Sequence, residues 1–309
     1  MEARSQALQR TRAFEVSPRR FRTLAFASLA ALWLIVATGA AVRLTASGLG
    51  CESWPGCSSG NPFPAKDHHA FVEFGNRLIA GMTILVTALA AAAAWRTRGL
   101  PRWTVWLALG LCVGTLAQAP LGALTVASHL HPLLVMPHLL LSIAVLGAAV
   151  VVALEALAVE RGHDPPFPAE LRRFGLVLAA GCFGLVVSGA FLTAAGPHSG
   201  GDEVTRFGDF RIALSAHAAS VAVFASALVF VLGYLAAKRA ESPLLFRGAL
   251  ALGGLLGLQM AIGELQYRAE LPWWLVLVHV ALAAGVWVGV VALAAQLWRP
   301  LAGVRPLRA

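Results

Sequence analysis

Gln118-Ala-Pro-Leu-Gly122-Ala-Leu124 and then Leu134-Val135-Met-Pro-His138 return in the second half of the chain as Gln259-Met-Ala-Ile-Gly263-Glu-Leu265 and Leu275-Val276-Leu-Val-His279. Every matched position is displaced by 141 residues, and the same offset carries Asn76 onto His217. The chain is therefore two copies of one helical unit. Duplication accounts for the similar helices. It does not account for imidazoles inside apolar segments, where an ionisable group marks a functional position by default.

Of 309 residues, 58% are hydrophobic and 13% charged, about half the charged fraction of a soluble domain. The apolar residues come in blocks of about 20 or more, the length that crosses roughly 30 Å of hydrocarbon. Eight membrane helices are expected at 22–45, 71–95, 102–125, 131–155, 173–195, 209–236, 244–267 and 272–298. The fold class is an all-α integral membrane protein, its eight transmembrane helices forming two pseudo-symmetric four-helix bundles. The divisions read as a basic cytoplasmic extension (1–21), an N-terminal half (22–155), a cytoplasmic linker (156–172), a C-terminal half (173–298) and a cytoplasmic tail (299–309).

The net charge of +9 reports topology, with no role for nucleic acid. The arginines crowd the termini and the even-to-odd loops (Arg19, Arg20, Arg22, Arg96, Arg98, Arg172, Arg173, Arg299), and the opposite loops hold few (Lys66, Arg206, Arg211, Arg268). The positive-inside rule then puts both termini in the cytoplasm of a multi-pass protein of a bacterial-type cell membrane. The composition is compatible with a homo-oligomer.

Cys112 and Cys182 fall within spans and read as small core residues. Cys51 and Cys57 flank Glu-Ser-Trp-Pro-Gly in the first outer loop. In an oxidising compartment this spacing favours a disulfide over two free thiols.

Nine histidines are present. His163 reads as a solvated linker residue; His129, His131 and His198 lie in outer loops or at helix mouths. His138, His217 and His279 lie about two turns inside their helices. In the second half, His217 and His279 come from two helices of one bundle and can supply both axial ligands of a haem iron, so a haem b is expected there. In the first half His138 faces Asn76 instead, which suggests an open or replaceable coordination position. Around Asn76, His69, Glu73 and Arg77 share a helical face, and Glu73 and Arg77 can pair at i,i+4. The pair is either a structural ion pair or a carboxylate held beside a reactive ligand, with Arg77 serving a propionate or tuning Glu73. His69 lies about 10.5 Å along the axis from Asn76.

From about residue 25 to 298 the chain resembles the haem A synthase family. The resemblance rests on Thr45-Ala-Ser-Gly-Leu-Gly-Cys51, Trp54-Pro55 with Cys57, Glu73-Phe-Gly-Asn76-Arg77, Gln118-Ala-Pro-Leu-Gly122 and His279. It implies haem b on His217 and His279, and a substrate haem in the first half near His138, Asn76, Arg77 and His69. Glu73 would be the catalytic carboxylate, and Cys51 and Cys57 the paired outer-loop cysteines. The implied reaction oxidises a methyl group of haem O to a formyl group, with a haem O synthase and an electron acceptor as partners. One departure stands out: where the family has a histidine three residues after the glutamate, this chain has Asn76. The competing reading is a non-catalytic haem b cytochrome that only transfers electrons. The common depth of the buried histidines counts against a relay between the two membrane faces.

Overall fold

The computed structural model describes residues 15–51, 53, 56–58, 63–64, 66–197 and 206–304. The helices are α1 (Pro18–Leu44), α2 (His68–Arg96), α3 (Arg102–Ala127), α4 (Pro132–Arg161), α5 (Ala169–Ala195), α6 (Phe210–Ala237), α7 (Pro243–Arg268) and α8 (Trp273–Trp298). All eight are long and apolar enough to cross a membrane, and the protein is a multi-pass membrane protein. The starts of α2, α4, α6 and α8 lie at one end with the Cys51–Cys57 loop, called here the disulfide end.

The helix limits shift by up to six residues from expectation, and α5 starts at Ala169, inside the expected linker. α1 starts at Pro18, inside the expected extension, because Ser17 caps it by accepting the Arg20 N–H at 3.4 Å and proline suits the first turn. α4 runs on to Arg161, into the expected linker, and stops before Gly162, whose φ of 83° favours glycine. Glu155 looked like a place for the helix to end, yet it is buried and its charge is met by Arg299 at 2.7 and 3.1 Å. His163 is exposed, as expected of the linker, and it is also tethered: its Nε2 lies 3.4 Å from Glu155 and its Nδ1 lies 3.2 Å from the Pro300 carbonyl. The expected tail from Arg305 and residues 1–14 of the extension lie outside the described residues.

α1 to α4 close into one ring through α1–α2, α2–α3, α3–α4 and α1–α4, and α5 to α8 close in the same way. The rings meet through α1–α8, α4–α5 and α4–α8. Exchanging the halves maps this set of contacts onto itself, as a pseudo-two-fold relation requires. The repeat extends to the turns. His129 and Leu130 end the α3 hairpin at φ 51° and 59°, and Glu270 and Leu271 end the α7 hairpin at φ 61° and 61°. The Leu130 N–H donates to the Thr125 carbonyl at 2.8 Å and the Leu271 N–H to that of Gln266 at 2.7 Å. Left-handed backbone costs a side-chain-bearing residue about 1–2 kcal/mol. Both hairpins carry that strain at matched positions, just before α4 and α8, which bear His138 and His279.

The bundles are joined by buried aliphatic residues and by two indoles. Trp287 Nε1 donates to the Ile143 carbonyl at 2.8 Å and Trp33 Nε1 to that of Ala281 at 3.1 Å. A Cβ on Gly147 would lie 3.0–3.2 Å from three Trp287 ring atoms, so this glycine is required by close approach. Gly147→Val is expected to push the indole off its carbonyl and cost about 1–3 kcal/mol. The measurement is the thermal midpoint in detergent, and an unshifted midpoint contradicts the packing.

Candidate functional site

The second-half pocket is built from α5, α6, α7 and α8. His217 sits about 10.5 Å and His279 about 9 Å along the axis from the starts of their helices. Ser188 on α5 orients His217. Its hydroxyl donates to the Leu185 carbonyl at 2.8 Å and lies 2.9 Å from His217 Nδ1. With its hydrogen on the Leu185 carbonyl, the serine oxygen is free to accept from Nδ1–H. That arrangement would leave the lone pair on Nε2, the tautomer a metal needs. Gly189 leaves room for that ring: a Cβ there would lie 3.2 Å from His217 Cε1. Opposite, Gln259 Nε2 donates to the His279 backbone carbonyl at 3.0 Å, and a Cβ on Gly263 would lie 3.0 Å from His279 Cε1.

The first-half pocket repeats this frame. Gln118 Nε2 donates to the His138 carbonyl at 3.3 Å and to Ser142 Oγ at 2.9 Å, and Gly122 faces His138 Cε1. On α1, Thr38-Gly39 takes the place that Ser188-Gly189 has on α5. The Thr38 hydroxyl lies 2.8 Å from Asn76 Oδ1, as Ser188 lies beside His217. Asn76 therefore occupies the histidine's place, with its hydroxyl neighbour retained.

Two imidazoles from facing helices are the donor set that completes a haem iron, the porphyrin supplying the rest. Four of the seven buried side-chain polar atoms without a partner among the described residues lie at these two sites. Oε1 of Gln118 and Gln259, and Nδ1 of His138 and His279, are all orphaned at repeat-related positions, whereas buried polar atoms normally find partners. Among the described residues no cluster of three or more His, Cys, Asp or Glu side chains offers a site for a bare ion.

Above the first pocket, Cys51 and Cys57 form a disulfide with their Cα atoms 4.4 Å apart. The Glu73–Arg77 pair is made at 2.5 Å. Glu73 is buried, and its Oε2 also accepts the Cys51 backbone N–H at 2.9 Å. Arg77 also donates to the carbonyls of Ser53, at 2.7 Å, and Gly56. His69 is exposed, and its Nδ1 lies 3.0 Å from Ser47 Oγ, so the structure places it with the loop and apart from Asn76. His131 caps α4, accepting the Leu133 N–H at 3.3 Å. Cys112 and Cys182 are free thiols in their helices. His198 lies outside the described residues.

The repeat at offset 141 did not expose Ser188 or Thr38. The first pair of helices keeps a different offset, 150, because the loop after α1 is longer than the loop after α5. The hydroxyl-glycine dipeptides were the available signal. Arg43 was also overlooked. It is an arginine in the apolar turn Ala40-Ala-Val-Arg43-Leu, one turn nearer the loop than Gly39 on the same face of α1. Its side chain is half-buried, with no carboxylate paired to it among the described residues.

Residues 22–198, more than half of the chain, match the COX15-CtaA family model, described as "Cytochrome oxidase assembly protein". The chain belongs to this family. Within COX15-CtaA it is 36% identical over 110 residues to the "Heme A synthase" of Geobacillus kaustophilus, covering 34% of this chain and 33% of that protein. It is 32% identical over 124 residues to the "Heme A synthase" of Shewanella oneidensis, covering 35% and 37%. A "Protoheme IX farnesyltransferase" of Thermus thermophilus is 30% identical over 294 residues, 83% of this chain and 45% of that protein. The matches thus span about a third to under a half of the length of these relatives.

Proposed function

We propose that the protein is a haem A synthase, oxidising a methyl group of haem O to a formyl group to supply haem A for cytochrome oxidase assembly. The observation that carries this reading is the inequality of two matched pockets in a chain of this family. Both have a helix-borne histidine backed by a glutamine and a glycine, but only the second has a second imidazole. A pocket with two imidazoles suits electron transfer; a pocket with one imidazole and a carboxamide leaves room for chemistry.

Haem b would be held by His217 and His279 and would supply one-electron redox chemistry. In the first half His138 would hold the substrate haem, and Asn76, held by Thr38, offers it no strong ligand. Arg43 offers a cation to a propionate. Glu73 lies about one turn from Asn76, and its oxygens retain lone pairs beyond those used by Arg77 and Cys51. It holds and deprotonates the water that supplies oxygen. Two hydroxylations and the loss of one water turn the methyl into a formyl group; the electrons removed pass to an acceptor outside the chain. The arginine distribution supports a reading with cytoplasmic termini and both pockets near the outer face. The likeness to a protein named for farnesylation of protohaem IX fits a farnesylated substrate and a haem O synthase as partner.

The test is to purify the protein after co-production with a haem O synthase, extract and separate its haems, and record a reduced-minus-oxidised spectrum. Haem A or a hydroxylated intermediate beside haem b is the expected result. Haem b alone, with haem O unconverted, would mean an electron-transfer cytochrome.

A further inference from the structure

The loop between Cys51 and Cys57 and the first turns of α2 hold one another through groups that all depend on the loop's shape. Cys51 gives its backbone N–H to Glu73, and Ser53 and Gly56, both inside the disulfide ring, give their carbonyls to Arg77. Both sulfurs rest against the Ala70 carbonyl, at 3.8 and 3.9 Å, and Cys51, Cys57 and Ala70 are buried together. Gly50 lets the loop descend this far: a Cβ there would lie 2.5–2.7 Å from the backbone of His69 and Ala70.

We propose that the redox state of the Cys51–Cys57 bridge and the placement of the Glu73 carboxylate are energetically coupled, with Arg77 as the positioning residue between them. The bridge holds the loop in the turn that aims one N–H and two carbonyls at the Glu73–Arg77 pair. Reduction breaks the S–S bond. Two electrons and two protons come from an external dithiol, which closes to its own disulfide, and two thiols form on the loop. Cys51, Ser53 and Gly56 then regain their freedom, and the buried pair loses the hold they had on it. Coupling of this kind is reciprocal. If opening the bridge loosens Glu73, then neutralising Glu73 or removing Arg77 makes the bridge easier to open by the same factor. The catalytic consequence rests on the proposed role of Glu73; the coupling itself does not.

The full chain, with Cys112 and Cys182 replaced by alanine so that only the loop thiols react, is equilibrated in nanodiscs with stepped ratios of reduced to oxidised dithiothreitol. Free thiols are then trapped with a maleimide polymer and counted on a gel. Glu73→Gln and Arg77→Gln are expected to move the midpoint to about a tenfold lower ratio of reductant, within the usual range of coupling between sites. Arg77→Lys, which keeps the charge and loses the fork, falls between. Gly147→Val, which weakens the fold elsewhere, leaves the midpoint where it was. Identical midpoints in all variants, or an equal shift in Gly147→Val, overturn the coupling. Turnover of haem O is measured on the same samples. A shifted midpoint with normal turnover in Glu73→Gln keeps the coupling and removes Glu73 from the chemistry. An unshifted midpoint with stalled turnover does the reverse.

Discussion

Replacing His279 with methionine is expected to abolish the low-spin haem b signal, with haem affinity falling by about a hundredfold or more, since loss of an outer-shell partner alone costs 10–100-fold. His217→Met should do the same, because each histidine would provide one axial ligand. Ser188→Ala tests the layer behind the ligand. Without the Ser188 oxygen, 2.9 Å from Nδ1, the ring loses that hold on its orientation, and a loss of about tenfold is expected. His138→Met, in the other bundle, should leave the haem b spectrum in place. The readout is the reduced-minus-oxidised spectrum per mole of purified protein. An unchanged spectrum in both His217→Met and His279→Met refutes the ligand assignment.

Asn76→His is expected to give the first half a second bis-histidine site. The frame is already present: Thr38 stands where Ser188 stands, and open space lies within 4 Å of a Cβ at Gly39. An imidazole at 76 would meet the threonine hydroxyl through Nδ1 and turn Nε2 toward His138. Haem content should rise by one low-spin haem per chain, and conversion of haem O should change with it, since the vacant side of the substrate iron is now filled. Quantitative haem extraction together with low-temperature electron paramagnetic resonance checks this. If no second low-spin species forms, Asn76 and His138 do not face a common macrocycle.

Much of this was legible in the sequence because membrane helices announce themselves: lipid forces backbone groups to pair within the helix, so length and apolarity suffice. The repeat placed His138 against His279 and Asn76 against His217, and the structure gives His138 and His279 the same glutamine bond. The i,i+4 spacing of Glu73 and Arg77 predicted an ion pair that is present. Other features needed three dimensions. Arg299 neutralises Glu155 from 144 residues away, so α4 could not be read to its true end from local pattern. Ser188 and Thr38 carry no charge and sit in helices that keep a different offset. The Cys51 N–H and the carbonyls of Ser53 and Gly56 are backbone groups, and no side-chain pattern marks them.

The four positions at 76, 138, 217 and 279 lie about 9–12 Å along their axes from helix starts that all face the disulfide end. Two haems bound there would stand side by side in the plane of the bilayer, on helices α4 and α8 that touch. A charge moved through the full membrane field gains or loses about 2.3 kcal/mol per 100 mV; one moved sideways between these pockets crosses almost none of it. Electron exchange between the halves would therefore be electrically silent, and its rate in energised vesicles should be the same whether the membrane potential is present or collapsed.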